Sequence, residues 1–387
     1  MMSSIKKDIT IVGGGPVGLY LAGRLLQQGI SCTVLEKKQE IDLHSKSLGI
    51  HPVSLELFDE AGITNRFLEK GLKIRKGIAF WNRDKIGEIS FETCPEPHNY
   101  ILAIPQWQTE EILEQWVLSM DKKAIIRGAD VHSVFESDTD IQVSFKKEDE
   151  SLSTTSKFVV GCDGKNSFVR QSMGIPFEGT TYPDTYVMGD FTDNTSFGSD
   201  AAVYLHEDGL IESFPLPNGH RRWVLKTDSY IENPSVEQLR QLLEKRLGHS
   251  LNECENFMLS SFGVQHLMAQ TFHKNRLLLA GDAAHVVSPI GGQGMNLGWI
   301  GAEKCVAVLK KSLQKPENRK IYFEGYSSHH RKIAKQVAKR AEMNMHLGRR
   351  KTSNILYKGL IYSMIKTPLS NLLARVFTMR GLGKWWV

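Results

Sequence analysis

Nothing in the 387 residues approaches the roughly 18 consecutive uncharged apolar residues of a spanning helix. The apolar run near the start, in "MMSSIKKDITIVGGG", is too short for a secretory signal and leads into a strand-like stretch. The expectation is a cytoplasmic protein. Cysteine is scarce: Cys32, Cys94, Cys162, Cys254 and Cys305 are odd in number and far apart. That spacing argues against a disulfide framework and a zinc site, so no metal is expected. No nucleophile–His–Asp set stands out either.

Acidic residues vanish after Glu342, while eight Lys or Arg follow it, from Arg349 to Lys384. Without those eight, 40 basic residues face 43 acidic ones, so the rest of the chain carries a net −3 against +5 for the whole. A basic surface spread over the fold, and with it nucleic-acid binding, is therefore not expected.

What is present begins with "DITIVGGGPVGLYLAGRLLQQGISCTVLEKK", a strand, tight turn, helix and second strand. Gly13, Gly15 and Gly18 form G-x-G-x-x-G, with Pro16 and Val17 opening the helix. The first glycine makes the turn, the second admits a pyrophosphate, and the third lets helix and strand pack closely. Helix N–H groups face the phosphates. Glu36, with Lys37 beside it, ends the second strand, where a carboxylate accepts from a ribose diol and repels a 2′-phosphate. FAD or NAD is expected there rather than NADP.

Two further segments, "VVGCDGKNSFVRQSMGI" and "LLLAGDAAHVVSPIGGQGMNLG", join this one in a set. Together the three resemble the group A flavoprotein monooxygenases, the p-hydroxybenzoate hydroxylase-like FAD enzymes. The resemblance implies an α/β fold: a Rossmann-like FAD-binding domain (5–75, 105–180 and 266–345), an inserted antiparallel β-sheet substrate domain (76–104 and 181–265) and C-terminal helices (346–387). It places Asp163 and Gly164 at the cofactor, Asp282 on the ribityl hydroxyls, and the loop Pro289, Gly292, Gln293, Gly294, Met295 and Asn296 at the flavin ring. Lys46 stands where the family usually carries an arginine, keeping the charge but losing the planar fork. Gln106 matches a ribityl or ring contact, and Val131 an adenine contact through backbone. On the residues alone, Gln106 also reads as a helix-cap polar residue and Val131 as an ordinary strand residue.

The glycine loop has its own physical reading. Gly291, Gly292 and Gly294 bare their amides, Pro289 stiffens the turn, and a helix is predicted from about Met295. A helix N-terminus there stabilises an anionic reduced flavin by roughly 0.3–2 kcal/mol.

Period-two alternation in "TYVMGDF", "AAVYLHEDGLIESFPLP" and "HRRWVLKT" predicts antiparallel strands, and the resemblance implies that they cover the flavin. Tyr186, Met188, Tyr204, Phe214, Pro215 and Trp223 are the candidate substrate contacts, each with sheet core as the alternative. The resemblance implies a monomer or homodimer that uses NAD(P)H and O2 to hydroxylate an aromatic, phenolic or polyketide-type substrate through a flavin C4a-hydroperoxide. No second G-x-G-x-x-G is present, and the family needs none for NAD(P)H. A flavin-dependent reductase of a lipid or quinone-like substrate is the rival reading; a halogenase lacks its W-x-W-x-I-P segment here. The tail (352–387) reads either as helices packed on the body or as a basic amphipathic surface for an anionic membrane.

Overall fold

The computed structural model describes residues 5–43, 47–349, 355–380 and 382. Two eight-stranded sheets and a three-stranded one carry the architecture. In the first sheet the parallel strands Leu277–Leu279, Glu150–Gly161, Ile5–Val12, Cys32–Glu36 and Ile125–Arg127 lie side by side in that order. Their apolar residues alternate little because both faces are covered: Ile9, Ile11, Val34, Val159, Val160 and Leu278 have no exposed surface.

The register decides where the chemistry falls. Val12 pairs with Gly161, Gly161 with Leu279, and Val12 with Leu35. The three motifs therefore leave the sheet at the same edge, the carboxyl ends of parallel strands, where open α/β sheets bind ligands.

The helix Pro16–Gln27 starts with Gly15 as N-cap and Pro16 in its first turn, and Gly29 (φ 72°) ends it. Its apolar side packs beside the helices Gln106–Met120 and Gln293–Gln314. The close fit leaves no room for a side chain at Gly23, where a Cβ would lie 2.1 Å from Trp116.

The second sheet runs His285–Val286, Asn256–Ala269, Phe177–Thr192, His220–Thr227, Ile211–Leu216, Ala201–Leu205, Lys76–Trp81 and Asp84–Ser90. All its pairings are antiparallel except that of Ala201–Leu205 with Lys76–Trp81. One face packs against the helix Val236–Leu247, held at its start by a Ser235–Gln238 capping box. The other face turns toward the first sheet's loops. Residues 355–377 form two helices, Ile355–Lys366 and Leu369–Phe377, divided at Pro368. Ile361 and Ile365 pack on Trp81 and Ile86, and Ala374 on Ile74, Ile89 and Phe91. Among the described residues, no helix is long and apolar enough to cross a membrane.

Candidate active site

A cavity of about 970 Å³ opens at the carboxyl edge of the parallel strands and continues beneath the second sheet. Gly13, Gly15, Pro16, Val17, Glu36, Lys37, Gln106, Val131, Asp163, Gly164, Asp282, Pro289, Gly292, Gly294 and Met295 all line it. Three of the predicted cofactor residues stand elsewhere. Gly18 sits behind the turn, where a Cβ would lie 2.0 Å from the Gly13 carbonyl oxygen. Gln293 is fully buried outside the lining. Asn296 is also buried: its Oδ1 accepts from His51 N at 2.8 Å, and its Nδ2 donates to the Gly49 and Gly292 carbonyls at 2.9 Å. It braces the glycine loop from behind. Lys46 lies outside the described residues.

At the nucleotide end, Glu36 Oε2 accepts from Gly14 N at 2.6 Å and Oε1 from Lys38 N at 2.8 Å. Each carboxylate oxygen keeps a second lone pair for a diol. Lys37 pairs with Asp130 at 3.1 Å. Gln106 opens its helix, donates to Glu110 at 2.9 Å and accepts from Ser47 N at 3.3 Å. Burial pushes the Glu110 carboxyl up to about 6, against the lowering effect of that Gln106 hydrogen bond.

Asp163 lies in the turn just past the second motif's strand, and its Oδ2 accepts from Val169 N at 3.1 Å in the short helix Phe168–Ser172, which Ser167 caps. Burial raises the Asp163 pKa, while hydrogen bonds from Ser167 and nearby amides oppose the rise. Its Oδ1 is buried with no partner among the described residues. Gly164 follows at φ 76°, a left-handed conformation that favours glycine. Arg170, absent from the sequence-based candidates, joins motif two to motif three: Nη1 donates to the Ala283 carbonyl at 3.0 Å and Nη2 to that of Lys165 at 2.8 Å.

The helix Gln293–Gln314, with Gly292 (φ 65°) as its N-cap, starts two residues before the position predicted from sequence. Neither this helix nor Pro16–Gln27 has a side-chain cap, and both begin at the cavity. Their first N–H groups are thus left for a bound group. FAD fits this site on those two uncapped helix starts, on the unpartnered Asp163 oxygen, and on Gly15, where a Cβ would meet nothing within 4 Å.

On the second sheet, Met188 and Phe214 line the cavity. Tyr186 shares Met188's side of its strand but stacks on Phe262 (5.3 Å, 13°), outside the lining. Tyr204 and Trp223 belong to the core under the helix Val236–Leu247, on the opposite face, and Pro215 alternates away from Phe214. Their place is the sheet core, the alternative reading of those positions. The structure adds Val203, Glu212, Val224 and Phe262 to the wall, together with Ile361, Ile365, Leu373 and Phe377 of the late helices.

Residues 6–341 match the FAD-binding-domain family. The chain is 34% identical over 323 residues to an uncharacterized aromatic compound monooxygenase of Bacillus subtilis, an alignment covering 80% of this chain and 63% of that one. It is 32% identical to the rifampicin monooxygenase of Streptomyces venezuelae, over 75% of this chain and 61% of the relative. The p-nitrophenol 4-monooxygenase from Pseudomonas putida superposes with a TM-score of 0.85 at 20% identity, covering 98% of both chains, and shares the fold. The chain belongs to the group A FAD-dependent monooxygenase family. It spans a little over three fifths of the length of the curated relatives it matches.

Proposed function

We propose that this protein is an FAD-dependent monooxygenase that consumes NAD(P)H and O2 to hydroxylate an aromatic substrate. One observation carries the reading: the dinucleotide cleft and the apolar face of the antiparallel sheet are parts of one cavity. Bound flavin would supply the redox and oxygen-transfer chemistry. The chain's own residues do the rest. Gly13–Val17 and Glu36 hold the nucleotide, Asp282 takes the sugar-chain hydroxyls, and the amides from Gly291 to Met295 face the ring and stabilise negative charge on it. Met188, Val203, Phe214, Val224 and Phe262, closed over by Leu373 and Phe377, orient an apolar ring and keep water out.

The test is substrate-stimulated NAD(P)H oxidation under labelled oxygen, with phenols, quinols and polyketide-like aromatics. One labelled atom in the product supports hydroxylation. Reduced, unlabelled product identifies the reductase alternative instead, and peroxide assays correct for uncoupled turnover.

A second reading concerns the late helices. Their inner side is covered, yet Leu360, Tyr362, Leu369 and Leu372 are half or more exposed, with Lys366 and Arg375 exposed beside them. This outer face supports peripheral contact of 352–387 with an anionic membrane. Replacing Leu360, Leu369 and Leu372 by Gln tests it without opening the cavity. Loss of sedimentation with anionic liposomes supports the contact, and unchanged sedimentation rejects it.

A further inference from the structure

One ionisable side chain in the substrate half of the cavity has no partner among the described residues. Glu212 lies mid-strand in Ile211–Leu216, only 8% exposed, and its side chain is part of the cavity wall. Register across the second sheet sets it in a row running Ala79, Val203, Glu212, Val224, Met188 and Ser260, all of which line the cavity. Its cross-strand neighbours are therefore two valines, and its same-face neighbours along the strand are Leu210 and Phe214. Among the described residues no hydrogen bond or ion pair reaches its carboxyl, and burial alone pushes it up to about 7.

Two cations flank it by register: Lys226, beside Leu210 and outside the cavity lining, and Arg222, opposite Phe214. Arg222 is engaged elsewhere: Nε donates to Asp190 Oδ1 at 2.6 Å and Nη2 to Oδ2 at 2.8 Å. A buried carboxyl in an apolar wall costs stability unless something pairs with it. Nothing in the packing of the sheet requires an acid at this point, since the row is otherwise made of small and apolar residues.

Building on the proposed hydroxylase reading, we infer that Glu212 is a specificity-determining residue that accepts a hydrogen bond from a ring-borne hydroxyl of the substrate and turns away aromatic carboxylates. The hydroxyl donates and the carboxylate accepts, which places the ring against Val203, Val224 and Phe214. The same contact pushes electron density into the ring. A carboxylate at that point would meet a second acid with no cation to share, so one of the two would have to bind a proton. A site built around a hydrogen-bonding group rejects analogues lacking it far more strongly than an apolar pocket does.

The test uses the full-length FAD-loaded protein and equilibrium titration of the oxidised flavin absorbance, with no NAD(P)H present. The probes are 1-naphthol, 1-methoxynaphthalene and 1-naphthoate. The wild type is expected to bind naphthol at least about tenfold more tightly than the methyl ether, and naphthoate most weakly. Glu212→Leu should erase the naphthol preference. Glu212→Gln should keep part of it, through the amide oxygen, and admit naphthoate. Retained flavin content and flavin spectrum show that the variants are folded.

Equal binding of naphthol and its ether by wild type, an unchanged ratio in Glu212→Leu, or no response to any probe overturns the inference. Failure of the monooxygenase reading looks different: naphthol is discriminated through Glu212, yet turnover with NAD(P)H puts no labelled oxygen into any product. Labelled product with selectivity indifferent to Glu212 gives the converse.

Discussion

Arg170 Nη1 donates to the carbonyl of Ala283 at 3.0 Å, linking two motifs 113 residues apart. The guanidinium also lies 3.8 Å from the centroid of the Phe177 ring, so its plane is held from two sides. Through this one side chain the Asp163 turn and the Asp282 turn are tied together at the cavity. Hydrogen bonds from a charged donor are worth roughly 1.5–3 kcal/mol each. Arg170→Ala is expected to weaken FAD binding about tenfold or more, measured by flavin fluorescence on dilution. Arg170→Lys should fall between, because it keeps charge and loses the fork.

Gly15 and Gly18 separate cofactor binding from folding. A Cβ at Gly18 would lie 2.0 Å from the Gly13 oxygen, which the backbone cannot relieve cheaply. Gly18→Ala should lower the apoprotein's stability by about 1–3 kcal/mol in denaturant melts. At Gly15 the backbone is extended (φ −74°) and the space is open. Gly15→Ala should leave the apoprotein melt unchanged and still weaken FAD tenfold or more, because its methyl stands where the phosphates approach.

Asp282 lies in the short 3-10 turn Gly281–Ala283 just past the carboxyl end of the strand Leu277–Leu279, exposed and lining the cavity. Replacement by Ala is expected to cost about 1–2 kcal/mol of FAD affinity through lost charge-assisted hydrogen bonds, and Asn should recover part of that. Isothermal titration of apoprotein with FAD reads both; equal affinity for all three proteins would remove Asp282 from the cofactor site.

Stability should depend on pH through Glu212. Its folded pKa is raised from 4.5 to about 7 by burial, so between those values the folded chain holds a proton that the unfolded chain has lost. Stability is then full below about pH 4.5 and falls as pH rises through 7. The full effect is on the order of 3 kcal/mol. Glu212→Gln should melt higher than wild type at pH 8, with the gap closing near pH 5.

Gly87 tests the wall contributed by the late helices. A Cβ there would sit 2.4 Å from Ile365 Cγ2. Gly87→Val should push that helix outward, speed proteolysis within 355–377 and weaken aromatic ligands, with FAD retained.

The nucleotide motifs were legible in the sequence because each is local: strand, turn and helix follow within a few residues, and the chemistry sits in the turn. Arg170 was hidden because its partner Ala283 is distant in the chain and carries only backbone. Of the six candidate substrate contacts, Met188 and Phe214 line the cavity. Phe214 and Pro215 were both read as contacts although alternation lets only one of them face the cavity, and which one depends on register, where a one-residue slip reverses the faces. Counting two back from Phe214 leads to Glu212, a signal that was available once Phe214 was placed. The late helices could not be located from sequence, since an apolar face with cations suits both a sheet and a membrane. Their inner face packs on Trp81 and Ile86.

The cavity's two halves are completed by different parts of the chain. Residues up to the Gln293–Gln314 helix finish the cleft that grips the cofactor, whereas the chamber beneath the sheet waits for Ile361 to Phe377. Changes between 355 and 377 can therefore reshape which molecules are admitted while the gripping machinery stays as it was.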